Sequence, residues 1–337
     1  MNKTKILNVG VVGLGRLGSQ YARYVSARLL GARLHAVADV QPNVAKAVAD
    51  ETGATKAYTD YNELFADKAV DAVVVMTPTK YHGEVVIAAA KAKKAIFCEK
   101  PLTLDLEEGA AMEAAVAKNH VFFQLGFMRR FDKAFAAAWK KIREGAIGTP
   151  IVFKSTSKDP FPPPVEFLRP ASSGGLFIDM GIHDFDLARW YMGEVKSVFS
   201  VGGALAYPEV GEVGDYDNGV TTLNFVNGNI GVVTLSRSGI YGYGIHSEIV
   251  GTEGTIEIGY DRETPIRVMT KGVIAHDSIP GFYERFEQAY ISQLQNFVDN
   301  VRFGRPSPIV CKDGIAALRI ALAATRSMQS GKLETVR

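Results

Sequence analysis

From Ile6 to about residue 125, runs of consecutive apolar residues alternate with segments whose apolar positions return at helical spacing. Ile6–Val12 is a β-rich run that closes on glycines, and Leu17, Tyr21, Tyr24, Val25 and Leu29 then mark one face of a helix. Leu34–Ala38 reads as a second strand closed by Asp39, Asn43–Glu51 as a helix, and Asp71–Met76 as a buried strand. Helix Val85–Lys93, strand Ala95–Cys98, helix Asp105–Lys118 and strand Val121–Gln124 continue the series. Near-continuous apolar strands separated by helices predict a parallel sheet covered on both faces, and right-handed crossovers make it doubly wound.

The period changes further along. Ile151–Ser155 begins a strand, Asp159–Pro170 is a proline-rich loop, and one helix (about Ile182–Met192) precedes six short strands. These are Val195–Val201, Asn218–Phe225, Ile230–Ser236, His246–Val250, Thr255–Ile258 and Ile266–Thr270, with Asn227-Gly228 as one hairpin turn. Phe282–Phe303 and Lys312–Met328 close the chain as amphipathic helices. The expected class is α/β: a doubly wound Rossmann-type domain over residues 1–125, then an α+β domain over 126–337 with a large, mainly antiparallel open sheet.

Composition removes alternatives. A length of 337 residues fits two domains. Lys+Arg 38 against Asp+Glu 36 leaves a net charge of +2, which makes no electrostatic case for nucleic acid or an anionic membrane as partner. Two cysteines, Cys98 and Cys311, exclude a disulfide scaffold and a four-cysteine zinc site. The longest apolar runs fall far short of the roughly 20 residues a membrane helix needs. With no apolar signal core before Ile6, a cytoplasmic protein is expected.

Gly13-Leu14-Gly15-Arg16-Leu17-Gly18 joins the first strand to the first helix. In such a turn Gly13 permits the reversal, Gly15 lets backbone approach a pyrophosphate, and Gly18 packs helix on strand. The pattern alone also suits a plain glycine turn. Asp39 ends the second strand, where a carboxylate accepts from a ribose diol or caps the next helix. Val40, Gln41 and Pro42 follow with no cation for a 2′-phosphate, which favours NAD over NADP. Thr77-Pro78 and Glu99-Lys100-Pro101 follow the next two strands, and ligands of open α/β sheets sit beyond such ends. Proline restricts Lys100, although a Glu-Lys pair is also an ordinary solvated ion pair.

In the second domain, Asp179-Met-Gly181-Ile-His183-Asp-Phe-Asp186 is the densest polar motif. If Asp179 begins a helix, it and His183 share one face, and an imidazole suits proton transfer near neutral pH. The alternatives are a helix-capping Asp179 with a satisfied surface histidine, or a metal site. The latter has no partner motif, so no metal is expected.

Together the glycine turn, Glu99-Lys100-Pro101 and Asp179-x-Gly181-x-His183-x-x-Asp186 resemble the Gfo/Idh/MocA oxidoreductase family over nearly the whole chain. Gln124-Leu-Gly126-Phe-Met-Arg129-Arg130-Phe-Asp132 is similar to its inositol dehydrogenase branch. The resemblance implies NAD as cofactor and oxidation of a polyol ring hydroxyl, with Lys100, Asp179 and His183 catalytic. It implies cofactor contacts from the glycine turn (Gly13, Leu14, Gly15, Arg16, Leu17, Gly18), Asp39, Val40, Thr77, Pro78, His82, Glu99, Lys100 and Arg129. Substrate contacts are expected from Lys100, Arg130, Lys158, Asp159, Asp179, His183 and Tyr243, with Asp186 as a support. A homotetramer packed through the open sheet face is implied too. Within enzymes the alternative is a dehydrogenase of another sugar or cyclic polyol. Outside them it is a dinucleotide-binding sensor.

Overall fold

The computed structural model describes residues 6–259 and 262–337. It divides into two compact units: the chain up to Met128 with Tyr290–Ile315, and Arg129–Ala289 with Ala316–Arg337.

In the first unit, six strands form because their valines and isoleucines are buried from both sides. They are β1 (Leu7–Val12), β2 (Ala32–Ala38), β3 (Lys56–Tyr58), β4 (Ala72–Val75), β5 (Ala95–Glu99) and β6 (Phe123–Gly126). Val9, Val11, Val73, Val74, Val75, Ile96 and Phe97 are fully buried. The order is β3-β2-β1-β4-β5-β6, with every pairing parallel. The strand order reverses between β1 and β4, which opens a crevice beyond their carboxyl ends. Strand β3 and the helix Tyr61–Ala66 left no periodic signal, being three and six residues long. From Tyr290 onward, the helix Phe282–Phe303 belongs to this unit. Tyr290 packs on Tyr21, and Phe297 on Phe97 and Phe122, with ring centroids 5.7–5.8 Å apart.

The second unit is built on seven strands: β7 (Pro150–Lys158), β8 (Val195–Gly203), β9 (Asn218–Phe225), β10 (Ile230–Ser236), β11 (Gly244–Gly251), β12 (Thr255–Ile258) and the short Glu334–Thr335. Starting from β12, the order is β12-β11-β7-β10-β9-β8, with Glu334–Thr335 at the far edge. Only β7 with β10 is parallel, so the sheet is mixed and mostly antiparallel. Gly228, at φ +88°, closes the β9–β10 hairpin. The inward face carries Phe153, Leu223, Phe225, Val233 and Leu235, and also two buried serines, Ser155 and Ser157.

Two expectations change here. Val268–Thr270 pairs with Val273–Ala275 in a separate two-stranded sheet, so the 266–270 run is no part of the main one. The proline-rich segment contains two helical turns, Val165–Leu168 and Pro170–Ser173, because proline is well placed at a helix start. Among the described residues, no helix is long and apolar enough to cross a membrane.

Candidate active site

The first unit holds a dinucleotide-shaped cradle at the end of β1. Gly13 has φ +87°, and a Cβ there would lie 2.6 Å from the Thr77 amide nitrogen, so neither the turn nor the neighbouring strand end admits a side chain. A Cβ on Gly18 would collide with the Gly13 carbonyl oxygen, which keeps the helix Arg16–Ala27 close to β1. At Gly15 a Cβ would meet nothing within 4 Å. That space lies at the amino end of a helix whose first turn has no acidic residue and no side-chain cap. The amides of a first helical turn beside an open space fit a pyrophosphate. Leu14 is buried and contributes backbone, whereas Gly15 and Arg16 are exposed.

Asp39 stands beside this turn. Its Oδ2 accepts from Leu14 N at 2.8 Å and its Oδ1 from Gln41 N at 2.9 Å. The helix Pro42–Thr52 is capped at Gln41 with no side-chain hydrogen bond, so Asp39 is no helix cap. Val40 projects into solvent at 84 % exposure. Thr77 Oγ1 is buried and has no hydrogen-bond partner. An open cradle, a bonded carboxylate and an orphaned hydroxyl fit a dinucleotide.

The next two strand ends are braced from within. Glu99 is 5 % exposed; its Oε1 accepts from the Tyr21 hydroxyl and from Gln293 Nε2, and its Oε2 from Lys100 N at 2.8 Å. Burial pushes its carboxyl above the usual range, against the lowering pull of Tyr21. His82 is 1 % exposed, with Nδ1 2.9 Å from the Pro101 carbonyl and Nε2 2.9 Å from that of Thr77. Burial lowers its proton affinity against the pull of both carbonyls. Glu99 and His82 were expected at the cofactor. Their polar atoms tie the Thr77 and Lys100-Pro101 segments into the unit, and Lys100 itself is half-buried.

In the second unit both arginines of the Arg129-Arg130 pair are held by carboxylates. Arg129 is 2 % exposed and donates to Asp184 Oδ1 at 2.9 Å and to Ser157 Oγ at 3.1 Å. Burial opposes its charge, yet Asp184 keeps it protonated. Asp184 has no exposure and also accepts from Ser155 Oγ at 2.6 Å. Arg130 makes a two-pronged pair with Asp186, at 2.8 and 2.5 Å, and lies over the Trp190 ring. Its guanidinium is held by that carboxylate. Tyr243 is 7 % exposed and edge-on to Phe286; burial first, then Asp159, pushes its phenol far up. Lys158 lies over Tyr241 at the end of β7, with Asp159 following it.

Asp179 does not begin the His183 helix. It ends a four-residue turn, Leu176–Asp179, and the helix Ile182–Met192 starts after Gly181. A Cβ at Gly181 would press on the Phe177 carbonyl and Leu235 at 2.8 Å, so the break needs glycine. His183, 7 % exposed, is in the first turn of that helix, and Asp184 and Asp186 follow it inward. Sequence reasoning missed Arg237, which is wholly buried and pairs with Asp179 at 3.1 Å and with Asp215 at 2.7 Å. It also missed Arg285, which donates to Asp132 at 2.8 Å. Among the described residues, no cluster of His, Cys, Asp and Glu forms a metal site.

Comparison with known proteins bears on both units. Residues 7–127 match the NAD-binding Rossmann fold of the Gfo/Idh/MocA oxidoreductase family, and residues 139–337 its C-terminal alpha/beta domain. A myo-inositol 2-dehydrogenase of Thermotoga maritima is 41 % identical over 98 % of this chain and 99 % of its own. A scyllo-inositol 2-dehydrogenase (NAD(+)) of Bacillus subtilis is 41 % identical over 95 % of this chain and 94 % of its own. The crystal structure of scyllo-inositol dehydrogenase from Lactobacillus casei, with NAD(H) and scyllo-inositol bound, superposes with a TM-score of 0.93. That protein is 31 % identical, and the match covers 98 % of this chain and 99 % of it.

Proposed function

This chain belongs to the Gfo/Idh/MocA oxidoreductase family, and we propose that it oxidises a ring hydroxyl of myo- or scyllo-inositol to the ketone, with NAD as hydride acceptor. The observation that carries this reading is full-length similarity, at 41 % identity, to both a myo- and a scyllo-inositol 2-dehydrogenase.

When bound, NAD supplies the electron-pair acceptor. The glycine turn and Asp39 are the residues to hold it, the amides of the first helical turn facing phosphate and Asp39 a ribose. Oxidation of a secondary alcohol further needs a base for the hydroxyl proton and a positive charge for the oxygen that loses it. We assign the base to His183 at Nε2 or Nδ1 and the charge to Lys100 Nζ. Asp179 orients the polyol or the imidazole. The bonds around Glu99 and His82 support a brace for Lys100, and those of Arg129 and Arg130 a rigid floor beneath the His183 helix. Lys158 and Asp159 remain proposed hydroxyl contacts.

Phe199, Val201, Val220 and Ile230 are exposed on one face of the second-unit sheet, which supports a homotetramer packed there. The two cysteines are free and buried, which suits a cytoplasmic enzyme of polyol catabolism.

The test is NADH absorbance with NAD and a panel of inositol epimers, aldoses and other cyclic polyols. Turnover fastest with an inositol is expected. Faster turnover with an aldose moves the substrate class, and none with any of them favours a sensor.

A further inference from the structure

The turn that carries Asp179 is four residues long, too short to hold its own shape, and it begins at Gly175, which has no side chain to cap it. A single distant carboxylate does both jobs. Asp215 Oδ1 accepts from Leu176 N, the first amide of the turn, at 2.8 Å. Its Oδ2 accepts from Arg237 Nη1 at 2.7 Å, and Arg237 Nη2 reaches back to Asp179 Oδ2, at the other end of the same turn, at 3.1 Å. The loop of contacts is therefore closed: Asp215 grips the amino end directly and the carboxyl end through Arg237. Access to the first amide requires glycine, since a Cβ on Gly175 (φ +79°) would lie 2.8 Å from Asp215 Oδ1.

Nothing in this loop is slack. Arg237 is fully buried and Asp215 is 3 % exposed. The main chain of Arg237 is pinned as well, its N–H donating to the Asp217 carbonyl at 2.8 Å. Asp179 is the one member open to solvent, its side chain 19 % exposed. A guanidinium is a planar fork with fixed spacing, so a carboxylate on one prong sets where a carboxylate on the other must lie.

We propose that Asp215 and Arg237 are positioning residues for the reaction, fixing the place of the Asp179 carboxylate toward the polyol. The proposal rests on the reading of Asp179 as a substrate-orienting residue. Neither touches substrate; both act through Asp179.

A double-mutant cycle separates this role from a purely structural one. Asp215→Asn keeps the shape but weakens the grip on Arg237. It is expected to lower kcat on the preferred inositol by about tenfold or more, while NADH binding stays within about twofold. Asp179→Asn is expected to lose at least as much. The double variant should fall no further than about twofold below Asp179→Asn, because two residues acting through one carboxylate are not additive. Multiplicative losses, or Asp215→Asn within about threefold of wild type, overturn the proposal. If Asp179→Asn alone keeps full turnover, the reading of Asp179 fails and the proposal with it.

Should Asp215→Asn lose its cooperative melting transition, Arg237→Lys decides. It retains the buried charge, but one ammonium does not reproduce the fork, so a similar kcat loss in a folded protein is expected. Arg237→Lys at the wild-type rate refutes the role.

Discussion

Asp39→Ala removes one carboxylate from two backbone amides and from any ribose it serves. Oδ2 holds Leu14 N at 2.8 Å inside the glycine turn, and Oδ1 holds Gln41 N at 2.9 Å. A hydrogen bond to a charged group contributes about 1.5–3 kcal/mol, so losing the Leu14 bond alone loosens the turn by roughly tenfold to a hundredfold in affinity. That loss is shared by NAD and NADP, since both place a pyrophosphate at the turn. A second loss, for NAD alone, is expected from the 2′-hydroxyl bond proposed for this carboxylate. For NADP the substitution instead removes repulsion between carboxylate and 2′-phosphate. NAD affinity is therefore expected to fall by roughly a hundredfold, with the NAD:NADP preference shifting by at least about tenfold. Titration of the variant with NADH and NADPH, read by the fluorescence of the reduced nicotinamide, gives both constants. Equal losses for the two cofactors refute the ribose contact and leave Asp39 as a brace of Leu14 and Gln41.

Arg129→Met should strand the unexposed carboxylate of Asp184, at a cost of about 3–5 kcal/mol in urea unfolding with NADH affinity unchanged. A selective loss of cofactor binding in a stable protein would return Arg129 to the cofactor. Lys100→Met should bind NADH normally and lose most turnover in the absorbance assay, and a near-normal rate removes the lysine from the mechanism. His183→Ala should erase the neutral-pH ionisation from the kcat/KM profile; an unchanged profile points to another base. At Asp67, the Ala69 N–H and the Lys56 ammonium, with His35 and Tyr58, hold the carboxyl well below the usual range. A depressed folded-state value stabilises above the unfolded value of about 3.9 and is lost as pH falls. Asp67→Asn should therefore melt lower near pH 7, with the gap closing toward about pH 2; a gap constant with pH would refute the charge argument.

What was legible in the chain was what is local. The alternation of apolar strands with helices sets the first unit because each βαβ crossover is decided by neighbours in sequence. The glycine turn is local only in part: Gly18 closes on the Gly13 carbonyl five residues back, whereas a Cβ on Gly13 would meet the Thr77 amide at the end of another strand. The placement of Asp179 failed for a reason that periodicity does not see. Gly181 interrupts the turn because Phe177 and Leu235 leave it no room for a Cβ, and Leu235 comes from a strand more than fifty residues on.

The polar residues were harder, because an arginine reads the same whether it faces a ligand or closes a buried pair. Arg129 meets Asp184 and Arg130 meets Asp186 across 55 and 56 residues, and Arg237 meets Asp179 across 58. No window of sequence holds both partners, and a motif rich in chemistry-bearing types does not say which of them point outward. Burying a charge is tolerable only when it is matched, so a site that needs a few exact side-chain positions is surrounded by arginines and aspartates spent on one another. Glu99 and His82 are likewise bonded to groups that no single window of sequence holds, Tyr21 and Gln293 for the one and the Pro101 carbonyl for the other. In this fold the residues around Lys100 and Asp179 are recognisable in sequence as a group, but the division of labour within the group follows from which carboxylate each cation was buried against.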